Sequence, residues 1–269
     1  MCENWSLHIC GSRGSIPAHG EEFKEFGGAT SCYVLKKGRY ALVIDCGSGL
    51  CSAAGLLENC EKIDVLLTHL HYDHLIGILG YSVFPAKARV NLYGTFDKWF
   101  GERTLGEFFR KPFWPVVPRI GPCISLKSPG SLELEKGLRI MLFPSSHPDN
   151  ANIVRIDAEG FVLSMLFDYE HIEEPPDAFL EGCALLLYDG MYTEEEYVAH
   201  RDWGHSCWQE GCRLAEKYEI PLLAIVHHEP RRTDRELLEM EREAKKRFPK
   251  IHFARMGDQM TLCRQETWR

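Results

Sequence analysis

The 269-residue chain contains no apolar run approaching the roughly 18 residues of a membrane-spanning helix. Its first residues lead straight into an alternating pattern, without the basic and apolar regions of a secretory signal peptide. It also has no block of lysine and arginine, and its formal net charge is -8. Because neutralising the phosphates of a duplex or a large RNA requires a basic face, we expect neither a membrane nor a long nucleic acid as partner.

The cysteines show no sign of a disulfide framework or of a zinc ribbon. There are 11 of them, an odd number, and no two form a Cys-x-x-Cys pair. Several lie within apolar runs, where cysteine behaves as a small buried hydrophobic residue. The pattern predicts free thiols in a reducing, cytoplasmic setting.

No internal repeat and no low-complexity linker divides the chain. Its hydrophobic content of 45% is enough for a sizeable core. Charged residues make up 26%, as in ordinary globular proteins, which argues against a disordered chain. We therefore predict one domain over residues 1–269, and a homodimer is compatible with the sequence.

Three histidines and one aspartate fall within six residues, between two apolar runs. The run at 63–68 predicts a buried strand, and the run at 75–79 predicts the start of a helix. Donors at such a corner can converge on one point while the flanking elements stay rigid. Imidazole and carboxylate are the ligands that suit zinc, manganese or iron. The motif therefore predicts a metal site formed by His69, His71, Asp73 and His74.

Other apolar runs also end in a polar donor, at His147, Asp168, Asp189 and His227. Donors at the same ends of several strands converge at the rim of a sheet, where they can complete a metal site. Taken alone, either histidine would be interpreted as an ordinary loop residue. Asp45 ends a predicted strand as well, where it either caps the following helix, predicted at 50–59, or supports the metal loop.

Two other segments each leave two interpretations open. For the glycine-rich loop at 11–17 we predict a plain turn rather than a phosphate loop, because no Gly-Lys-Ser/Thr ending follows, unless the loop lies beside the metals. Segment 94–129 mixes aromatic and basic residues, which either line a nucleotide pocket, as a substrate lid, or simply pack onto the body. These residues are Trp99, Phe100, Arg103, Phe108, Phe109, Arg110, Lys111, Phe113, Trp114 and Arg119.

The order of these motifs resembles the metallo-β-lactamase superfamily. The resemblance rests on His69-x-His71-x-Asp73-His74 and on the single donors that follow at later strand ends, and it covers nearly the whole chain. It implies an α/β fold, an αββα four-layer sandwich of the metallo-β-lactamase type, with two metals at one edge.

The resemblance also implies a set of seven metal ligands. Three hold the first metal, three hold the second, and one bridges the two. His228 is the alternative to the last ligand, although the position directly after the strand favours His227. In that order the ligands are His69, His71 and His147, then Asp73, His74 and His227, and finally the bridging Asp168.

A second motif narrows the resemblance to one branch. Trp203-Gly204-His205-Ser206 is similar to the His-Ser/Thr motif of the ribonuclease Z-like phosphodiesterases, and segments 11–17 and 27–32 are similar to the N-terminal pattern of that branch. The branch includes proteins called phosphoribosyl cyclic phosphodiesterases. There, the histidine that matches His205 assists at the scissile phosphate, and the carboxylate that matches Asp189 orients it.

The chain also departs from that branch. Ribonuclease Z carries a long arm that grips tRNA, and the short stretch from Asp168 to Asp189 contains no such insertion. Transfer-RNA processing is therefore not expected. The residues after His147 also lack the glycines often found there, which predicts a differently shaped loop.

The resemblance implies an enzyme: a binuclear metal-dependent phosphodiesterase that cleaves a small nucleotide-like or cyclic phosphodiester through a metal-bridging hydroxide. Asp73, His205 and Asp189 are its candidate catalytic residues. We expect two divalent metal ions, zinc or manganese first and iron as the alternative. Asp73, Asp168 and hydroxide would remove three of the four metal charges, and the residual charge suits a phosphodiester monoanion.

Two other functions remain open. One is a thioester or lactone hydrolase of the same fold, although a thioesterase would leave the His205-Ser206 element unexplained. A β-lactamase would usually carry cysteine where Asp168 stands. The other is a metal-containing nucleotide-binding protein without turnover, against which the complete ligand set argues.

Overall fold

Two seven-stranded sheets form the centre of the molecule. They are seen in a computed structural model that describes residues 4–96, 109, 111–112, 114–116, 121–149 and 151–262. The strands are β1 (Trp5–Gly11), β2 (Cys32–Lys37), β3 (Tyr40–Ile44), β4 (Lys62–Leu66), β5 (Arg89–Gly94), β6 (Cys123–Ser125), β7 (Gly130–Glu133), β8 (Leu138–Pro144), β9 (Asn152–Ala158), β10 (Phe161–Leu166), β11 (Leu185–Asp189), β12 (Leu222–Val226), β13 (Ile251–Phe253) and β14 (Gln259–Leu262).

Both sheets combine parallel and antiparallel strands. The first has the order β14-β1-β2-β3-β4-β5-β6, and the second has the order β13-β12-β11-β10-β9-β8-β7. Strands β3 to β6 are parallel in the first sheet, as are β10 to β13 in the second. Parallel neighbours end at the same edge of a sheet, so the loops after them gather there.

Helices cover the outer face of each sheet. The α-helices are α1 (Ala54–Leu57), α2 (Asp177–Leu180), α3 (Glu194–Tyr197), α4 (Trp208–Lys217) and α5 (Asp234–Arg247).

The sequence of layers is helix, sheet, sheet, helix. The main core lies between the sheets and includes Leu42 of β3 and Leu187 of β11. Outside the second sheet, Leu214 of α4 and Leu237 of α5 join a further buried cluster. Leu57 of α1 belongs to the cluster outside the first sheet. The predicted αββα sandwich is therefore confirmed.

The helix predicted at 50–59 is present over slightly different bounds and only its second part is α-helical. A 3-10 helix, Ser48–Ala53, runs into the four-residue α1, and the helix expected from 75 is the 3-10 helix Ile76–Val83. The two lie backbone against backbone: Gly77 N donates to Cys46 O at 2.7 Å, and a Cβ on Gly77 would lie 2.1 Å from Gly47 O. Such close packing of glycines leaves no trace in hydrophobic periodicity.

None of the helices in the described ranges is both long enough and apolar enough to cross a membrane.

Candidate metal centre

Loops from both sheets meet at one rim of the sandwich. His69 to His74 follow β4 of the first sheet. From the second sheet, His147 follows β8, Asp168 follows β10, and His227 follows β12. The strand-end series seen in the sequence is therefore a cluster in space.

The cluster divides into two groups of donors. In each group, the donor atoms lie within 4.8 Å of one another. A further group joins His147 and Asp168 to His205, so the two sets adjoin. The groups are His69, His71 and His147, and Asp73, His74, Asp168 and His227.

The first group is aligned by partners on the far side of its imidazoles. His147 donates from Nδ1 to Gly204 O at 2.8 Å, which leaves Nε2 facing His71 Nδ1 at 3.1 Å. His71 contacts Asp149 Oδ2 through its other nitrogen, also at 3.1 Å. A second hydrogen bond of this kind fixes both the tautomer and the ring orientation of a metal-ligating histidine.

The second group surrounds the carboxylate of Asp168. Its Oδ2 lies 2.9 Å from His74 Nε2, and its Oδ1 lies 3.2 Å from His227 Nε2. Oδ1 also lies 3.8 Å from His147 Nε2 and 3.9 Å from His69 Nε2, in the first group. Asp168 thus stands between the groups, where a bridging ligand has to be.

Most of these separations suit donors around a shared ion better than donors bonded to each other. Ligands about 2.1 Å from a tetrahedral zinc lie about 3.4 Å apart. His227 Nε2 and His74 Nε2 each lie 3.3 Å from Asp73 Oδ2.

Several donor atoms also lack an ordinary partner. The buried atoms His69 Nε2, His74 Nε2 and Asp168 Oδ2 have no hydrogen bond of acceptable geometry within the described part of the chain. Since buried polar groups are almost always satisfied, this donor set fits divalent metal ions.

Asp45 supports the metal loop and is not a helix cap. Its Oδ1 accepts from Thr68 N, and its Oδ2 accepts from Thr68 Oγ1, each at 2.8 Å. Oδ2 also accepts from His74 Nδ1 at 2.7 Å. Thr68 Oγ1 in turn lies 3.1 Å from His69 Nδ1. One buried carboxylate therefore orients two imidazoles, one in each group.

Three residues of the centre have left-handed backbone angles that non-glycine residues rarely adopt. They are Asp45 with φ 57°, Asp168 with φ 52° and His227 with φ 58°. Each follows the end of a strand, where such a turn redirects the side chain toward the rim. Conformations of this kind cost about 1–3 kcal/mol and concentrate at functional sites.

Charge is balanced within the second group. Burial alone would raise the pKa of Asp73 and of Asp168, but the neighbouring imidazoles outweigh it and lower both. Burial opposes the charged form of His74, yet Asp168 and Asp73 raise its pKa well above the usual value, and a similar balance raises the pKa of His227 to about 9. The pocket therefore attracts positive charge, which protons or a divalent cation can supply.

His205 and Asp189 form a buried pair beside the two groups. His205 Nδ1 lies 2.9 Å from Asp189 Oδ2, and its ring stacks on that of His227 with centroids 4.8 Å apart. Asp189 Oδ1 also accepts from Met191 N at 3.1 Å. The carboxylate is thus held by the backbone as well as by the imidazole.

The loop at 11–17 lies against the centre, so it is more than the plain turn we predicted. Ser15 N donates to Asp73 Oδ2 at 2.8 Å. A Cβ on Gly14 would lie 2.5 Å from the ring of His227, so only glycine lets the loop approach this closely.

The structure places His227, and not His228, in the cluster. His228 donates from Nε2 to Ala254 O at 2.8 Å, on the other side of the strand end. Burial lowers its pKa to about 3, so the ring stays neutral and serves the core.

Two acidic residues that support the site were not among the predicted ones. Asp149 contacts His71, and the buried side chain of Glu170 binds the loop before His205. Asp149 follows His147 by two positions and Glu170 follows Asp168 by two, and this proximity was the only signal in the sequence. Much of the aromatic and basic segment, namely 97–108, Arg110, 113 and 117–120, lies outside the described residues.

The family comparison agrees with this geometry. A family model described as "Beta-lactamase superfamily domain" matches residues 40–228, which run from β3 to the end of β12 and include all seven donors. The chain belongs to the metallo-β-lactamase superfamily. The resemblance inferred from the sequence motifs is thereby confirmed.

Relatives within the metallo-β-lactamase superfamily are distant. The probable metallo-hydrolase YhfI of Bacillus subtilis is 38% identical over 71 residues, which is 26% of this chain and 26% of YhfI. Ribonuclease Z of Metallosphaera sedula is 23% identical over 273 aligned positions, covering 83% of this chain and 91% of that protein.

Solved structures show the same fold over the full length. The crystal structure of YhfI has a TM-score of 0.68 at 20% identity and covers 98% of this chain and 100% of its own. A diphosphatase from the PhnP family has a TM-score of 0.69 at 18% identity and covers 100% of this chain and 99% of its own. Together, superfamily membership and the histidine and aspartate cluster support a metal-dependent hydrolase.

Proposed function

We propose that this metallo-β-lactamase superfamily protein is a binuclear metal-dependent phosphodiesterase acting on a small nucleotide-like or cyclic phosphodiester. The observation that carries the proposal is the buried pair of His205 and Asp189 at the edge of the donor cluster. A thioester hydrolase expels a stable thiolate and needs no such pair, whereas a phosphodiesterase has to protonate or stabilise a leaving oxygen.

The donor groups define which residues would hold the metals. His69, His71 and His147 would hold the first ion, and Asp168, which approaches both groups, would bridge. The second ion would be held by Asp73, His74 and His227. Histidine-rich sites of this kind take zinc or manganese, and iron is the alternative. When bound, two divalent ions supply an activated water near neutral pH and offset the charge of a phosphodiester.

The chain itself supplies orientation and a proton. Asp189 accepts from His205 Nδ1, so the imidazolium form of the ring would give its Nε2 proton to the leaving oxygen and return to the neutral tautomer that keeps the Nδ1 proton. Because Met191 N also binds this carboxylate, the imidazole is held in one orientation before substrate arrives. Orientation of this kind lowers the cost of proton transfer in the transition state.

The acidic net charge of -8 favours a small substrate, because the phosphates of a long nucleic acid require a basic face. The group cleaved has separate support, since a similar sequence is named a ribonuclease and a similar structure a diphosphatase, and both names refer to cleavage at phosphorus. The free buried thiols of Cys10, Cys32 and Cys46 suit a reducing, cytoplasmic setting.

The direct test combines metal analysis with a substrate panel. Purified protein should hold about two zinc or manganese ions per chain and should cleave bis(p-nitrophenyl) phosphate faster than a nitrophenyl thioester. The reverse preference would favour the thioesterase alternative. Nucleotide binding without product release would favour a binding protein.

The role of His205 is tested by His205→Ala. We expect turnover of the phosphodiester to fall about 10²- to 10⁴-fold, the usual contribution of a positioned acid, with both metals retained. His8→Ala is the matched control, since His8 lies within β1 and contacts Ser6 Oγ. Loss of a metal from His205→Ala would contradict a role for His205 in proton transfer alone.

A further inference from the structure

Glu170 is a buried carboxylate that the proposed chemistry does not use. It is 1% exposed, and no lysine or arginine in the described part of the chain forms a salt bridge with it. Burying a carboxylate is costly unless hydrogen bonds compensate for the lost water. The hydrogen-bond donors that contact Glu170 therefore indicate its structural role.

All three donors belong to the chain that leads to His205. Oε1 accepts from Tyr197 OH and from Asp202 N, each at 2.8 Å. Oε2 accepts from Gly204 N at 2.9 Å. Two backbone amides that flank Trp203 thus share one carboxylate.

The turn at 202–204 needs such an external acceptor. Asp202 has φ 65° and Gly204 has φ 84°, so the backbone leaves regular geometry at both positions. Neither the Asp202 amide nor the Gly204 amide donates to a backbone carbonyl within the described part of the chain. Because Glu170 holds the amides of Asp202 and Gly204, it fixes the backbone position of the next residue, His205.

The same turn carries the acceptor for a proposed metal ligand. Gly204 O accepts from His147 Nδ1 at 2.8 Å, and this bond presents His147 Nε2 to the first donor group. The backbone of Glu170 also reaches this ligand's loop, since Ser146 Oγ lies 3.1 Å from Glu170 N. Glu170 therefore contacts both Ser146, which precedes His147 in the chain, and Gly204, whose carbonyl accepts from His147.

We propose that Glu170 is a positioning residue that sets His147 and His205 relative to each other by clamping the turn at 202–204. The assignment rests on the proposed function only for the role of His205. The clamp couples one metal site to the proton donor, so a single substitution should disturb both.

The test substitution is Glu170→Gln, which keeps the shape and exchanges one acceptor oxygen for an NH₂ donor. That donor would face an amide N–H, so at least one of the two amides would lose its acceptor. Glu173→Gln is the matched control: Glu173 is exposed and lies three residues further along.

Three measurements follow, and two of them need no turnover. Zinc affinity, measured by competition with a chromophoric chelator, should fall about 10- to 100-fold at one of two sites, as for other residues that orient ligands. Amide hydrogen exchange should accelerate in the peptide spanning 201–206. Activity should fall more on a diester with a poor leaving group than on bis(p-nitrophenyl) phosphate, because a poor leaving group depends more on proton donation.

Wild-type zinc affinity and wild-type exchange in folded Glu170→Gln would overturn the proposal. If that variant fails to fold, Tyr197→Phe removes one of the three donors without altering the carboxylate, and it should shift affinity and exchange in the same direction by less. A folded Tyr197→Phe with wild-type values would then also overturn it. If the parent cleaves no phosphodiester, the proposed function fails, while affinity and exchange still decide the role of Glu170.

Discussion

At the scale of single residues, the carboxylate of Asp45 joins the two halves of the donor cluster. It binds His74 directly and His69 through the hydroxyl of Thr68. The sequence could place an aspartate at this strand end, but two roles were open there. The choice depended on the turn at φ 57°, which points the side chain toward the metal loop and which no local pattern reveals.

Asp45→Asn should therefore weaken metal binding without unfolding the protein. An amide cannot accept from Thr68 N, Thr68 Oγ1 and His74 Nδ1 together, so at least one of these contacts is lost and the metal loop is held less firmly. We expect an affinity loss of about 10- to 100-fold, measured by chelator competition.

Asp64→Asn is the control for Asp45→Asn. Asp64 is also fully buried, but it accepts from Tyr40 OH at 2.7 Å and from Asn91 Nδ2 at 2.8 Å, away from the donor cluster. It should lower thermal stability and leave metal affinity unchanged. Equal affinity losses in both variants would show that the effect is a general one of burying an amide.

Secondary structure was the most predictable level. The buried strand predicted at 63–68 is β4, Lys62–Leu66, because an apolar run of this length bounded by polar residues is typical of a strand. The positions of the histidine and aspartate donors after the strands followed from the strand prediction. Contacts made by backbone atoms could not be predicted, since any residue type offers a carbonyl. An example is the hydrogen bond that His147 Nδ1 donates to Gly204 O.

The turn before α4 gives a prediction at the scale of elements. A Cβ on Gly204 would lie 2.3 Å from His147 Nδ1 and 2.5 Å from Pro148 Cδ. Gly204→Ala should therefore displace His147 and weaken binding of the first metal at least about 10-fold, as measured by chelator competition.

Gly160→Ala separates this clash from backbone strain. Gly160 has φ 86°, nearly that of Gly204, but no described atom lies within 4 Å of a Cβ there. Both variants should lose about 1 kcal/mol of unfolding free energy from the left-handed conformation. Metal affinity should change only in Gly204→Ala, and a loss in both would refute the steric explanation.

Helix α5 is tied to the edge of the second sheet by charges that depend on pH. Its buried Glu241 accepts from Phe253 N and pairs with Arg255 at 2.9 Å. His252 lies 2.5 Å from Asp258 Oδ2 and 3.5 Å from Glu241 Oε1. Burial opposes the charged form of His252, but these two carboxylates raise its pKa above the usual 6.5.

The sign of the pH dependence follows from that raised pKa. A protonated His252 stabilises the folded state fully below pH 6.5, and this contribution disappears as pH rises through the higher folded pKa. In chemical denaturation, the stability difference between the parent and His252→Gln should be largest near pH 6 and should shrink toward pH 9. A difference that grows with pH would contradict the raised pKa.

At the scale of the whole molecule, the donor cluster joins the two sheets. His69, His71, Asp73 and His74 come from the loop after β4 in the first sheet, and the others come from the second sheet. Metal ions held by both sets would oppose separation of the layers. Binding to the folded state alone stabilises it by about 2.7 kcal/mol at a free metal concentration of 100 Kd.

Removing metal with a chelator should therefore lower the melting temperature, and restoring zinc or manganese should raise it by about 5–10 °C for a chain of this size. Magnesium at the same concentration should have little effect, because it prefers all-oxygen ligands and these donors are mostly imidazole. In His69→Ala the response to zinc should shrink but persist, since the second group keeps all its donors. An unchanged melting temperature after complete metal removal would mean that the two layers are held by their apolar core alone.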